Sequence, residues 1–100
     1  MALADAGYRR ALEALHELVE LDPDDLTHRR DLAAAYVRLA ELDADAGWVA
    51  QAEAGYRRSM EINEWLVRVE PDNLDDRRNL ESDRLRLGSS ERRTGDSAPG

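Results

Sequence analysis

Apolar residues recur at steps of three and four along most of this chain, and three breaks divide the pattern into four stretches. Tyr8, Ala11, Leu12, Leu15, Leu18 and Val19 share one face of a helix expected over residues 2–21, with Arg9, Arg10, Glu13, Glu17 and Glu20 on the other. Asp22-Pro23-Asp24-Asp25 ends it, because the residue before a proline is pushed out of the helical region. Asp25 can then accept from the free N–H groups of the next helix. That second helix is expected over 26–46, with Leu32, Ala35, Tyr36, Leu39 and Leu42 inward, and Gly47 suits the left-handed position just past its end. A third helix over 48–69 turns Val49, Ala52, Tyr56, Met60, Leu66 and Val67 inward. Ile62 and Trp65 lie on an adjoining strip, so this helix is expected to bury two faces. Glu70-Pro71-Asp72-Asn73 repeats the break, and a fourth helix starts near Leu74 carrying Leu80, Leu85 and Leu87. Beyond Leu87 the apolar pattern ends. Fraying is expected between 88 and 94, and a disordered tail over 94–100, which has too little apolar surface to order itself.

The pattern is written twice. Ala6-Gly7-Tyr8-Arg9-Arg10 returns 48 residues later as Ala54-Gly55-Tyr56-Arg57-Arg58, and Pro23-Asp24 as Pro71-Asp72. Arg29-Arg30 returns as Arg77-Arg78, Leu32 as Leu80, and Arg38-Leu39 as Arg86-Leu87. Without gaps, residues 6–39 match 54–87 at 16 of 34 positions, the density of an internal repeat. A fixed period of roughly 20–50 residues signals stacked repeats. A glycine inside a helix costs about 1 kcal/mol against alanine, so its recurrence at Gly7 and Gly55 points to close approach of a neighbouring helix, the alternative being simple inheritance by duplication.

In register with this duplication, Leu39-Ala40, Gly47, Ala52, Tyr56 and Ser59, with Pro71 closing the unit, resemble the tetratricopeptide repeat. Leu87-Gly88 and Gly95 repeat the start of the motif, and Ala4, Tyr8, Ala11 and Pro23 repeat its end. The unit is 48 residues here, against about 34 in the family. The excess falls as about two helical turns in each helix, which leaves the packing faces in register. The Asp-Pro-Asp…Arg-Arg-Asp-Leu run at 22–32 resembles long-unit bacterial members. Asp43 stands where the family usually has tyrosine. The resemblance implies an all-α fold of four helices, antiparallel pairs stacked as a short right-handed superhelical repeat. It divides residues 1–93 into a half unit (1–23), a full unit (24–71) and a half unit (72–93). The runner-up is a closed four-helix bundle with a structural role, in which the first and fourth helices would touch.

Composition narrows the partners. The net charge of −8 and a pI near 4.7 argue against nucleic acid and anionic membrane surfaces as partners. Without cysteine there is no disulfide framework, thiolate chemistry or thiolate zinc site. No apolar run approaches the ~18 residues of a membrane span, and a cytoplasmic location is the expectation. Every basic residue is arginine.

Candidate chemistry is sparse. Glu13-Ala14-Leu15-His16 has the Glu-x-x-His spacing of carboxylate di-iron bundles, but its repeat-mate region offers Glu61 and Glu64 without a histidine. His28, near a helix start, has no evident second ligand, and the acidic cluster around Pro23 lacks the alternate ligand positions of a calcium loop. No phosphate loop or nucleophile elbow occurs. No catalytic residue, metal or cofactor is therefore assigned, and the expected function is a non-catalytic protein–protein interaction module or scaffold. In the family the first helix of each unit lines a concave groove. Carried onto this chain, that face comprises Arg30, Val37, Glu41 and Asp45, then Arg78, Leu85 and Ser89. Its mixed, partly acidic character favours a basic or mixed segment of a protein or peptide. An exposed stripe including Leu3, Tyr8 and Leu15 is expected to be covered, either by a second copy of the chain in a homo-oligomer or by the rest of a longer repeat protein.

Overall fold

The computed structural model describes residues 2–97, with side chains from 7 to 88. Four helices follow one another: α1 (Ala2–Leu21), α2 (Leu26–Asp45), α3 (Val49–Val69) and α4 (Leu74–Ser97). Local chemistry sets the breaks. Asp25 caps α2, its Oδ1 accepting from the Thr27 N–H at 2.9 Å. Asn73 does the same for α4, accepting from the Asp76 N–H at 3.0 Å. Gly47 takes φ +85° between α2 and α3, a conformation that disfavours any side chain. The fourth helix runs through Gly88 to Ser97, so the tail boundary expected at 94 falls inside it. Glu91-Arg92-Arg93 has good helix propensity, which continues the backbone ladder after the apolar pattern has ended.

Each helix packs on its neighbours in sequence. α1 lies against α2, α2 against α3 and α3 against α4, and among the described residues no other pair of helices makes backbone contact. The molecule is accordingly a plate, 46 × 34 × 16 Å. Tyr8, Leu12, Leu15 and Val19 of α1 meet Leu32, Ala35, Tyr36 and Leu39 of α2, with Ile62 of α3 at the edge. A second cluster joins Val37 and Ala40 of α2, Ala52, Tyr56 and Met60 of α3, and Leu87 of α4. Leu12 and Leu87 thus belong to different cores, as an open stack requires and a closed bundle forbids.

The middle pair is the tightest. A Cβ placed on Gly55 would lie 2.9 Å from the Ala40 Cβ and 3.2 Å from the Tyr36 carbonyl oxygen, so only glycine lets α3 approach α2 this closely. At Gly7, where the same close approach was expected, an added Cβ meets nothing within 4 Å. Among the described residues, nothing packs on α1 at this position. Arg29 of α2 stacks over the Trp65 ring of α3 at 4.1 Å, fixing the other end of the same pair.

Candidate partner-binding groove

Because α3 lies behind both α2 and α4, those two helices stand side by side with a furrow between them. Its cavity of about 240 Å³ is walled by Arg30, Ala33, Ala34, Val37, Arg38 and Glu41 from α2, by Asn79, Ser82, Asp83 and Arg86 from α4, and floored by Ser59 and Asn63. Side chains tie the walls together at two places. Near the helix starts, Arg30 grips Asp76 with both arms of its guanidinium, Nε to Oδ1 and Nη2 to Oδ2 at 2.9 Å each, and reaches Glu70 at 3.2 Å. Asp76 is fully buried, and this two-pronged pairing is what makes a buried carboxylate tolerable. The hydrogen bonds to Asp76 also hold the Arg30 guanidinium charged, against the opposing effect of burial. Further along, Glu41 lies between Arg86 at 3.6 Å and Arg38 at 3.7 Å. Arg86 in turn sits over the Tyr56 ring at 5.7 Å, whose hydroxyl burial pushes to higher pKa.

The floor is polar although it is buried. Ser59 and Asn63 stand one turn apart on α3 and both donate to Asp83 Oδ2, at 2.7 and 2.8 Å, while the Asn63 amide also reaches Ser59 Oγ at 3.3 Å. Burial raises the Asp83 carboxyl above the usual carboxylate range, opposed by these two hydrogen bonds and by Arg86. The sequence singles out Ser59 as the small residue of the repeat motif but not its partners, because Asn63 and Asp83 taken alone look like solvated positions. The signal was in the repeat: the three align with Ala11, Leu15 and Ala35, residues of an apolar face.

Of the residues expected to form the groove, Arg30, Val37 and Glu41 line it. Asp45 is exposed at the last residue of α2. Arg78 and Leu85 are exposed and do not line the furrow, and the Ser89 side chain lies outside the described residues. The reason is geometric. Two parallel helices flank a shared groove with opposite sides, so the repeat-mates of α2's groove residues point away from it on α4. Asn79, Ser82, Asp83 and Arg86 take their place.

Two histidines also have neighbours that the sequence did not reveal. His16 Nε2 lies 2.7 Å from the Tyr36 hydroxyl. His28 sits 3.5 Å from Asp25, and its ligand atom lies within 4.8 Å of those of Asp22 and Asp25. The expectation that His28 has no companion ligand is therefore corrected: the turn at Pro23 folds Asp22 back toward the start of α2. Asp25 is at the same time the cap of that helix, which accounts for its placement. Of the expected association residues, Tyr8 and Leu15 are half-buried and packed against α2. The Leu3 side chain lies outside the described residues.

No family model matches this chain, and no curated protein or solved structure does. No described helix is long and apolar enough to cross a membrane.

Proposed function

We propose that the chain is a non-catalytic interaction module of tetratricopeptide type, stacked with that family's right-handed superhelical sense, which takes an extended segment of a partner protein in the furrow between α2 and α4. The observation that carries this reading is the furrow itself: two parallel helices, without backbone contact, held apart over a polar floor and crosslinked at two points. Arg30 and Glu41 are eleven residues apart on α2, or about 16 Å at 1.5 Å per residue. The opening between the crosslinks therefore suits about five residues of extended chain. Ala34 and Val37 present an apolar wall, and Asn79 and Ser82 present exposed polar groups able to pair with a peptide backbone. The charged groups at the two ends already pair with one another, which favours recognition of shape and backbone over a clamp for a terminal carboxylate.

An array of short random-sequence peptides, probed with purified protein, tests this. Binding of a peptide subset is expected, abolished by Ser82→Trp, which blocks the furrow, and unchanged by Arg78→Glu on the opposite flank. Absence of any binder, or binders indifferent to Ser82→Trp and to Asn79→Trp, would overturn the assignment.

A further inference from the structure

The outer face of α1 carries a stripe that the fold leaves largely open, exposed at Gly7, Ala14, Leu18 and Leu21 and half-buried at Ala11. Gly7, Ala11, Ala14, Leu18 and Leu21 recur at steps of four and three, within about 40° of a common line at 100° per residue. Leu18 is 39 % exposed and Leu21 82 %. On α3 the repeat-mates of this stripe are Gly55, Ser59, Ile62, Leu66 and Val69. There most of the corresponding line is covered: Gly55 is pressed onto Ala40, Ser59 and Leu66 are both fully buried, and only Val69 at its end stays exposed. The molecule thus shows what such a stripe does when a helix is available to it.

We infer that the α1 stripe is a self-association surface, on which α1 of a second copy lies antiparallel about a two-fold axis. Three observations select this occupant. The first is size. The stripe is small at its start (Gly7, Ala11, Ala14) and large at its end (Leu18, Leu21), so antiparallel pairing sets leucines of one copy against Gly7 and Ala11 of the other, and Ala14 near Ala14 at the axis. A parallel pair would set leucine against leucine and glycine against glycine. The second is charge. Arg10 and Glu17, both exposed, flank the same side of the stripe at heptad-equivalent positions. In the antiparallel pair each Arg10 faces the Glu17 of the other copy, twice over by symmetry.

The third observation removes the obvious competitor, α4 of another copy. On α2 the face that covers α3 presents Ala33, Tyr36 and Ala40. At the matching positions α4 carries Glu81, Arg84 and Gly88, the first two exposed. Burying those charges against an apolar stripe is costly without matched partners. At these matched positions α4 is therefore polar, whereas the α1 stripe is self-complementary. A pair of 20-residue helices buries less than the ~1,200 Å² of a standard stable interface, so the dimer is a weak one that assembles in the micromolar range.

Sedimentation equilibrium of the chain from micromolar to millimolar concentration is expected to show a monomer–dimer equilibrium. Gly7→Leu fills the hollow that receives the partner's leucine, at a site where an added Cβ meets nothing in the monomer. It is expected to weaken association at least about tenfold with helical circular dichroism unchanged. Should Gly7→Leu itself lose helicity, Ala14→Glu at the exposed axis position gives the same reading. Arg10→Glu and Glu17→Arg are each expected to be monomeric alone and to form a mixed dimer when combined, since one copy then presents only glutamates and the other only arginines. A monomer throughout the range, a dimer that survives both Gly7→Leu and Ala14→Glu, or single charge variants that do not recover on mixing would overturn the inference. Loss of the dimer in Leu85→Glu would overturn it in favour of α4.

Discussion

The α1–α2 and α3–α4 junctions are built by the same stretch of sequence written twice, yet one is apolar and the other is not. At the first, Leu15 and Ala35 pack in a hydrophobic cluster with Ala11 half-buried beside them. At the second, the same three positions hold Asn63, Asp83 and Ser59, buried and joined by hydrogen bonds. The backbone arrangement tolerates both solutions. What differs is the information each carries. An apolar face tolerates sliding by small steps, whereas Asp83 must meet both donors or leave them stranded in a buried site. The second junction is thus locked in register, and it is the one that forms the groove floor. The two junctions divide the labour: the apolar one supplies stability, and the polar one fixes the relative position of the groove walls.

Breaking equivalent residues in the two halves tests how far the duplication extends to energetics. The largest effect is expected at Leu66, which is 0 % exposed. Leu66→Ala should cost about 2–5 kcal/mol, and its repeat-mate Leu18→Ala about 1 kcal/mol or less, by chemical denaturation at concentrations that keep the chain monomeric. Next comes the polar floor. Asp83→Ala strands two buried donors and should cost about 1–3 kcal/mol, whereas the triple change Ser59→Ala, Asn63→Leu, Asp83→Ala, which writes the first junction into the second, should return stability to within about 1 kcal/mol of the parent or above it. If the triple variant is as unstable as Asp83→Ala, the two junctions do not share a geometry.

The same carboxyl gives a pH signature. Burial raises the Asp83 pKa in the folded state, so the folded chain holds this proton to higher pH than the unfolded chain. Its contribution to stability is most favourable in acid and declines as pH rises from about 4, the ordinary aspartate range, through the raised value. Asp83→Asn does not titrate, so its stability relative to the parent should increase from about pH 4 toward neutrality, as read from denaturation midpoints at each pH. The smallest contrast is between the glycines. Gly7→Ala should stabilise by up to about 1 kcal/mol, while Gly55→Ala should destabilise by about 1 kcal/mol, the overpacking against Ala40 outweighing the propensity gain. Equal signs in thermal melts would contradict the close approach seen only at Gly55.

The four helices and their breaks were legible in the chain because the signals are local. Proline at 23 and 71, Asp25 and Asn73 as caps, and Gly47 each act within a turn of their own position. The groove was half legible. Its α2 wall followed from the register, but its α4 wall did not, since the repeat reports equivalence of position and says nothing of which flank meets a given neighbour. Ser59, Asn63 and Asp83 were invisible to periodicity because a buried polar residue breaks the apolar pattern in the way a surface residue does. Tyr8 and Leu15 were assigned to an outer stripe because the sequence of α1 has apolar residues on two adjoining strips, and only packing decides which one α2 takes.

Packing confined to sequence neighbours has a kinetic consequence. Every backbone contact between helices closes only a short loop, so little chain entropy stands in the way of docking, and topology of this kind folds fast. Opening runs from the margins: α1 leaves by undoing its seam with α2, α4 by undoing its seam with α3 and the side-chain crosslinks to α2, while α2 and α3 are each held on two sides. Amide protons of α2 and α3 around Ala40 and Gly55 should therefore be the slowest to exchange, and those of the outer helices should exchange through partial unfolding well before the whole chain opens.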